Sequence, residues 1–337
     1  MTHAASRITL VILCLLGTAT LLGWPQSGTS NAGFVIAGHI VDPNRLRPKE
    51  ATLALGEQRE NSYSSTPVEV AADGSFRTGR VGPGTYVLEL VRDNFAPGAT
   101  GDTIGFAIVT VTASDVSGVR VEVRPDSTLT GRFRFESDNP GAEVPLQINV
   151  IAFLALDGAS IPIHGQPETG SVRTFILRNV FGPRVLRFGY RLAPGSSWWP
   201  SRVLLDGKDV TNVPTDFSQH PDAQLEVVFT QYPARLAGIV TNAEGREVDG
   251  AWVMVTGSDA VSWQPWATTS QVVRANATGR YVVTLPAGTY RINAVAGSAF
   301  PSQAAARDGM SRIAFGGVSV SVKERETKRV DVKLQER

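Results

Sequence analysis

Asp73-Gly74-Ser75-Phe76, followed by Val81-Gly82-Pro83-Gly84-Thr85-Tyr86-Val87-Leu88, returns far along the chain as Thr278-Gly279-Arg280-Tyr281 and Leu285-Pro286-Ala287-Gly288-Thr289-Tyr290-Arg291-Ile292. Each phrase is a tight turn whose glycine supplies positive φ, then a Pro-Gly or Ala-Gly turn that delivers a tyrosine into an apolar strand. Tyr86 and Tyr290 stand about 200 residues apart, twice a small sandwich of about 100 residues, so a degenerate third copy is expected between them. Val180-Phe181-Gly182-Pro183-Arg184-Val185-Leu186 fills that place, keeping the Gly-Pro turn and losing the tyrosine. The three copies open alike, with Ile36-Ala37-Gly38-His39-Ile40, Leu129-Thr130-Gly131-Arg132-Phe133 and Leu236-Ala237-Gly238-Ile239-Val240. A unit repeated whole implies an array of modules, an organisation suited to binding or spacing.

Composition agrees. The 337 residues include 33 glycines and 20 prolines, and Val and Thr are abundant, which favours short strands and turns over helices. The one cysteine, Cys14, lies in an apolar N-terminal stretch, so the rest of the chain has no disulfide, thiol nucleophile or thiolate metal site. Lys and Arg number 32 against 31 Asp and Glu, with no charge run, so the basic field that nucleic-acid binding needs is missing.

The N-terminus reads as a targeting segment. His3 and Arg7 precede the apolar Ile8 to Leu22, which is short against the roughly 20 residues of a membrane span. Ser30 and Ala32 then fit the small-residue rule of a signal-peptidase site, so residues 1–32 are expected to be a signal peptide cleaved after Ala32. The alternative is an uncleaved anchor with Trp24 at the membrane interface. A lipoprotein reading is disfavoured because Val11-Ile12-Leu13 places no small residue before Cys14. Secretion or a periplasmic, cell-envelope location follows, with membrane contact only if the leader stays.

Val109 to Thr112 and Val119 to Val123 alternate apolar and polar residues with the period of half-buried strands, as do Leu225 to Phe229 and Val318 to Val322. The last three are expected to be the closing strands of the three copies. Helical periodicity is scarce, with one short turn expected at Ala304 to Arg307.

The order of Gly-bearing first strand, turn, apolar second strand, Asp-Gly-x-Phe, Pro-Gly-x-Tyr and alternating last strand resembles the carboxypeptidase regulatory-like domain. The third copy shows it best, in Gly238-Ile239-Val240-Thr241, Glu244 to Val253, Gly279-Arg280-Tyr281 and Pro286 to Tyr290. The second departs most: it lacks the Asp-Gly-x-Phe turn and carries Trp198-Trp199-Pro200 and Leu205 to Thr211, which is similar to a linker of bacterial secreted members. The resemblance spans about residues 34 to 335. It implies an all-β chain of three tandem Greek-key, transthyretin-like sandwiches of a wider carbohydrate-binding-like fold group, at 33–126, 127–233 and 234–337. It brings no catalytic residue.

Chemistry is sparse. Beyond the leader the histidines are His39, His164 and His220, and none has metal-ligand spacing to another. A catalytic triad would have to assemble in space, since no nucleophile elbow stands outside the leader. Asp206, Asp209 and Asp216, or Asp138 with Asn139, could hold calcium, but such residues ordinarily cap their own turns. No first strand carries the Lys that an isopeptide bond requires. No metal or cofactor is expected, and the chain reads as non-catalytic. Its function-like residues are aromatic: Trp198 and Trp199 in one segment, Trp263, Gln264 and Trp266 in another. Exposed indoles stack against the C–H faces of sugars while amides such as Gln264 and Gln271, or Asp259, meet hydroxyls. The competing role is to plug a sandwich end, expected of at least one Trp in each pair. Trp252 is expected in the core. The partner classes are a carbohydrate or cell-envelope component, or another protein.

Overall fold

The computed structural model describes residues 33–47, 51–59, 62–92, 102–139, 141–145, 147–156, 159–163, 173–194, 197–258, 264, 267–310 and 317–335. The leader at 1–32, His164, Trp263 and Trp266 lie outside the described residues. The chain is all-β, and its one described α-helix, α1 (Gln303–Asp308), covers the expected turn.

The first seven strands are β1 (Ile36–Val41), β2 (Thr52–Arg59), β3 (Ser62–Val68), β4 (Ser75–Arg77), β5 (Gly84–Arg92), β6 (Asp102–Val111) and β7 (Val116–Val123). Eight follow: β8 (Thr128–Glu136), β9 (Gln147–Leu156), β10 (Ala159–Ile163), β11 (Thr174–Arg178), β12 (Arg184–Arg191), β13 (Trp199–Leu205), β14 (Lys208–Asp209) and β15 (Leu225–Thr230). The last eight are β16 (Ala234–Thr241), β17 (Trp252–Gly257), β18 (Gln271–Arg274), β19 (Arg280–Leu285), β20 (Gly288–Val295), β21 (Val318–Val322), β22 (Thr327–Arg329) and β23 (Val332–Lys333).

One local pattern occurs three times. Each opening strand pairs antiparallel with a later strand of its copy, β1 with β4 and β16 with β19 after their glycine turns, and β8 with β11. Its other edge pairs in parallel, β1 with β7, β8 with β15, and β16 with β22 and β23. In all three the opening glycine sits directly opposite an aromatic ring: Gly38 faces Phe76, Gly131 faces Phe175 and Gly238 faces Tyr281. A β-carbon at Gly131 would lie 2.1 Å from the Phe175 ring, and at Gly38 or Gly238 it would also strike the carbonyl of Val119 or Val330 at 1.9 and 1.8 Å. The Phe175 ring takes the side-chain space at Gly131, and the backbone carbonyl of the parallel neighbour takes most of it at Gly38 and Gly238, which explains why each copy opens on glycine. Phe175 is thus the aromatic the second copy lacked in sequence, supplied without the Asp-Gly turn.

The tyrosine phrase closes the cores. Tyr86 and Tyr290 are buried, and their hydroxyls donate to the Gly82 and Pro286 carbonyls at 2.9 and 2.7 Å, the geometry of a tyrosine corner. Leu186 takes the same buried position in the middle copy. Three main clusters of buried side chains result, around Leu88 and Val121, around Phe133 and Phe229, and around Val253 and Ile292. A smaller one lies on the outer face of β17, where Trp252 and Met254 pack under α1 with Ala306.

Two expectations are corrected. Val318 to Val322 is not the closing strand of the third copy: β21 pairs antiparallel with β20, as β6 does with β5, and β22 and β23 take the parallel place beside β16. Alternation reports one buried face but not the partner or its direction. The first copy also differs from a two-sheet arrangement, because β6 pairs with β7 and joins all seven strands into one sheet ordered β3-β2-β5-β6-β7-β1-β4. The second and third regions keep two sheets each.

Candidate ligand-binding cleft

Trp198 and Trp199 enter β13 on opposite faces, as neighbours in extended chain must. Trp198 is 3 % exposed, meets Phe135 edge to face at 5.3 Å and donates its indole N–H to the Glu143 carbonyl at 2.6 Å. It plugs the middle core and has no face to offer a ligand, so it is withdrawn from the aromatic platform. Trp199 turns the other way and is half-buried, its Nε1 enclosed without a hydrogen-bond partner among the described residues.

Trp199 walls a cleft of about 260 Å³ between β12 and β13 on one side and residues 267–271 on the other. Phe153, Phe188, Tyr190 and Ala267 make its apolar surface, and burial pushes the Tyr190 hydroxyl above its ordinary pKa. Arg187, Arg202, Thr211, Thr268 and Gln271 bring polar groups to it. A wider opening of about 600 Å³ shares Trp199, Arg202 and Thr268 and continues toward Tyr232 and Glu324.

The seam is held shut at one side. Thr268 donates its backbone N–H to Asn212 Oδ1 at 2.8 Å, Asn212 Nδ2 donates to Thr268 Oγ1 at 3.1 Å, and Arg187 donates to the same Asn212 oxygen at 3.2 Å. Arg187 also donates to the carbonyls of Leu186 and Thr211, which fixes its guanidinium. Beside these bonds Ala267 packs against Ala155 and Val185 in a small buried cluster. Gln271 donates to the Thr268 carbonyl at 3.1 Å. Gln264 is described only as half-buried, with its carbonyl accepting from Ala267 at 3.0 Å. Of the sequence-expected residues the structure thus brings Trp199 and Gln271 to one cleft.

Arg202 belongs to a ladder across β8, β15 and β13. Arg132 and Arg134 both hold Glu226, at 2.9 and 2.7 Å, Arg134 reaches Glu136, and Glu136 accepts from Arg202 at 3.2 Å. The Arg134 hydrogen bond holds the Glu226 carboxyl below its usual range. Three guanidiniums against two carboxylates leave one positive charge in excess.

Elsewhere the expected chemistry is spent on turns. Asp206 accepts from the Gln224 N–H, Asp209 from Thr211, and Asp216 from Ser218 and Arg124. Among the described residues no three His, Cys, Asp or Glu gather as a metal site, and no helix is long and apolar enough to cross a membrane. His39 is exposed and pairs across strands with Ser75, near Asp73. Ser75, however, bonds to Asp73 through its side chain and its N–H, an Asx turn that holds the Asp73 carboxyl low and aims no hydroxyl proton at the imidazole.

No family model matches the chain, and no curated protein matches it. Among solved structures it is similar to the TIE protein of Bacillus anthracis at 10 % identity and TM-score 0.22, over 89 % of this chain and 50 % of that one, so it spans half the length of that relative. It is also similar to BcpA, the major pilin subunit of Bacillus cereus, at 9 % identity and TM-score 0.21, over 90 % and 99 %. A DUF3823 family protein from Parabacteroides merdae gives 11 % identity and TM-score 0.21 over 87 % and 98 %. Scores this low do not bear on function.

Proposed function

We propose that the chain is an exported, non-catalytic protein built of three Greek-key modules of the carboxypeptidase regulatory-like kind, at 33–126, 127–233 and 234–337, that spaces and binds partners in the cell envelope or outside the cell. The observation that carries this reading is the threefold pairing of an opening glycine with an aromatic ring, flanked each time by the same antiparallel and parallel neighbours. Separate buried cores support it, because a module that closes its own core can be strung in series. The partner is a carbohydrate, another envelope component or a protein, and the near-neutral charge argues against nucleic acid.

Limited proteolysis in mild denaturant tests the modular reading: fragments of about 100 residues are expected from cuts near 124–127 and 231–233. Cuts confined to β7 while both joints resist would sink it. Intact mass of the exported protein tests the leader, with loss of residues 1–32 expected.

A further inference from the structure

We propose that the free edge of β19 joins two copies of this chain, the strands pairing antiparallel with Val282 of each opposite Thr284 of the other. Such a contact goes beyond the function proposed above and does not depend on it. An edge strand presents backbone N–H and C=O groups that template another strand, so folded proteins blunt their edges. Most edges here are blunted. β3 and β10 contain Pro67 and Pro162, which have no N–H, and β4, β14 and β22 are two or three residues long. At β18 the Gln303 side chain from α1 donates to the Val272 carbonyl at 2.6 Å, and at β21 Lys328 donates to the Ser321 carbonyl at 2.9 Å. β19 has six residues and no such guard among the described residues, and Val282 near its centre is 60 % exposed, the most of any large apolar side chain described. The first copy places Arg77 at the same point, opposite Ala37 as Val282 is opposite Ala237.

The hydrogen bonds show which backbone groups are open. On β16 the odd-numbered residues face the parallel neighbour: Arg235 donates to the Glu326 carbonyl and the Ala237 carbonyl accepts from Val330, both at 2.8 Å. Its even-numbered residues face β19, as Val240 donates to the Gly279 carbonyl at 2.8 Å. Gly238 stands opposite Tyr281 and Leu236 opposite Val283, so Tyr281 and Val283 bond to β16 while Arg280, Val282 and Thr284 point their backbone groups away. Asn276 occupies those of Arg280, its side chain accepting the Arg280 N–H and its own N–H donating to the Arg280 carbonyl, both at 2.9 Å. The groups of Val282 and Thr284 remain. In the proposed register each Val282 exchanges both of its bonds with the Thr284 of the other copy, so every open group finds a partner. A register centred on Val282 would need the occupied groups of Arg280. Pairing Val282 with Thr284 also sets two β-branched side chains together and keeps the Arg280 side chains of the two copies about 20 Å apart, at opposite ends of the contact. Pro286, which has no N–H, ends it.

Sedimentation equilibrium of the full chain from about 10 μM to about 1 mM tests the contact. A dissociation constant of about 0.1–1 mM is expected, because a pairing this short buries less than the roughly 1,200 Å² of a stable complex. Val282→Arg copies the first copy's residue at an exposed position and should weaken dimerisation about tenfold or more, with thermal unfolding unchanged. Thr284→Pro removes an N–H that no bond within the chain uses and should do the same. Amide hydrogen exchange reads the register directly: the Val282 and Thr284 amides should exchange fast in dilute solution and slowly near about 1 mM, while those of Tyr281 and Val283 stay protected in both. A chain that stays monomeric up to about 1 mM, association that Val282→Arg leaves unchanged, or Val282 and Thr284 amides indifferent to concentration would each overturn the proposal.

Discussion

The joint between the first and second cores holds Arg184, 2 % exposed and 3.5 Å from the buried Glu89, whereas the joint between the second and third holds Arg325 and Asp138, whose side chains are 55 % and 68 % exposed. At the first joint the guanidinium of Arg184 lies over the Phe106 ring at 5.4 Å, and Gly182 lets the turn approach that ring where a β-carbon would come within 2.5 Å. Arg124 reinforces it by reaching Asp216 at 2.8 Å and stacking on Phe181 at 5.5 Å. At the second joint Arg325 stacks on Tyr232 at 3.6 Å in open solvent, and the Asn212 to Thr268 bonds hold one side of an open cleft. The same repeat has therefore been joined in two ways, with a dry ion pair at the first joint and a wet one at the second, beside the small buried cluster of Ala155, Val185 and Ala267.

The repeat differs between copies at the position that makes the first joint. In the outer copies Gly84 and Gly288 stand where the middle copy has Arg184, although a β-carbon there would make no more than ordinary or slightly tight contact with the Tyr86 or Tyr290 ring, at 3.6 and 3.3 Å. In the middle copy the long cation at position 184 reaches out to Glu89.

The largest expected effect follows. Arg184→Ala removes the guanidinium beside the buried Glu89 and should cost about 3–5 kcal/mol in urea unfolding, while Arg184→Met with Glu89→Leu recovers most of the loss. A single-variant cost under about 1 kcal/mol would show that the first joint is as wet as the second.

Next in size, Tyr290→Ala should destabilise the third core by about 3 kcal/mol or more through loss of a buried ring and its bond to Pro286. Tyr86→Ala should do the same to the first core. Because both tyrosines lie at corners away from the Arg184 contact, fragments from proteolysis should show the damage confined to one core. Simultaneous melting of all three would mean that both joints are rigid enough to couple them.

Asn212→Ala removes the Asn212–Thr268 bonds of the second joint and should cost about 1 kcal/mol of stability. Its signature is geometric: small-angle scattering should show a longer, more bent chain, a change that Arg184→Ala should produce at the other joint instead. An unchanged scattering profile would move the hinge away from Asn212.

The smallest effect belongs to the exposed pair. The Arg325 hydrogen bond holds the Asp138 carboxyl below its ordinary range, with Tyr232 adding to it. A depressed carboxylate pKa contributes stability above the unfolded value, and that contribution fades as pH falls through the lowered folded value. Asp138→Asn, which removes the charge and leaves the Arg325 stack on Tyr232, should therefore shift thermal unfolding slightly at neutral pH, not in strong acid, where Asp138 is already protonated, and less in about 1 M salt, where the screening length is about 3 Å. A shift that persists in high salt would mean that the second joint is drier than its exposure indicates.

Much of the fold was legible from spacing. The glycine turns at Gly74 and Gly279 adopt φ of 87° and 67°, and the corner tyrosines face inward, because turn chemistry and a period of two are local properties. Phe175 was hidden because its role depends on a cross-strand partner, Gly131, and not on a motif around it. The site was legible only in part: Trp199 and Gln271 stood among the expected groups, but Arg187 and Arg202 looked like ordinary strand residues until the sheets came together. Residue order alone determined that the chain repeats, that its strands turn at glycine and proline, and that it carries little catalytic equipment. Tertiary structure decided which of two adjacent tryptophans is buried, which strand closes the third copy, and where a cation is dry, since each depends on groups brought together from distant positions and on the water excluded between them.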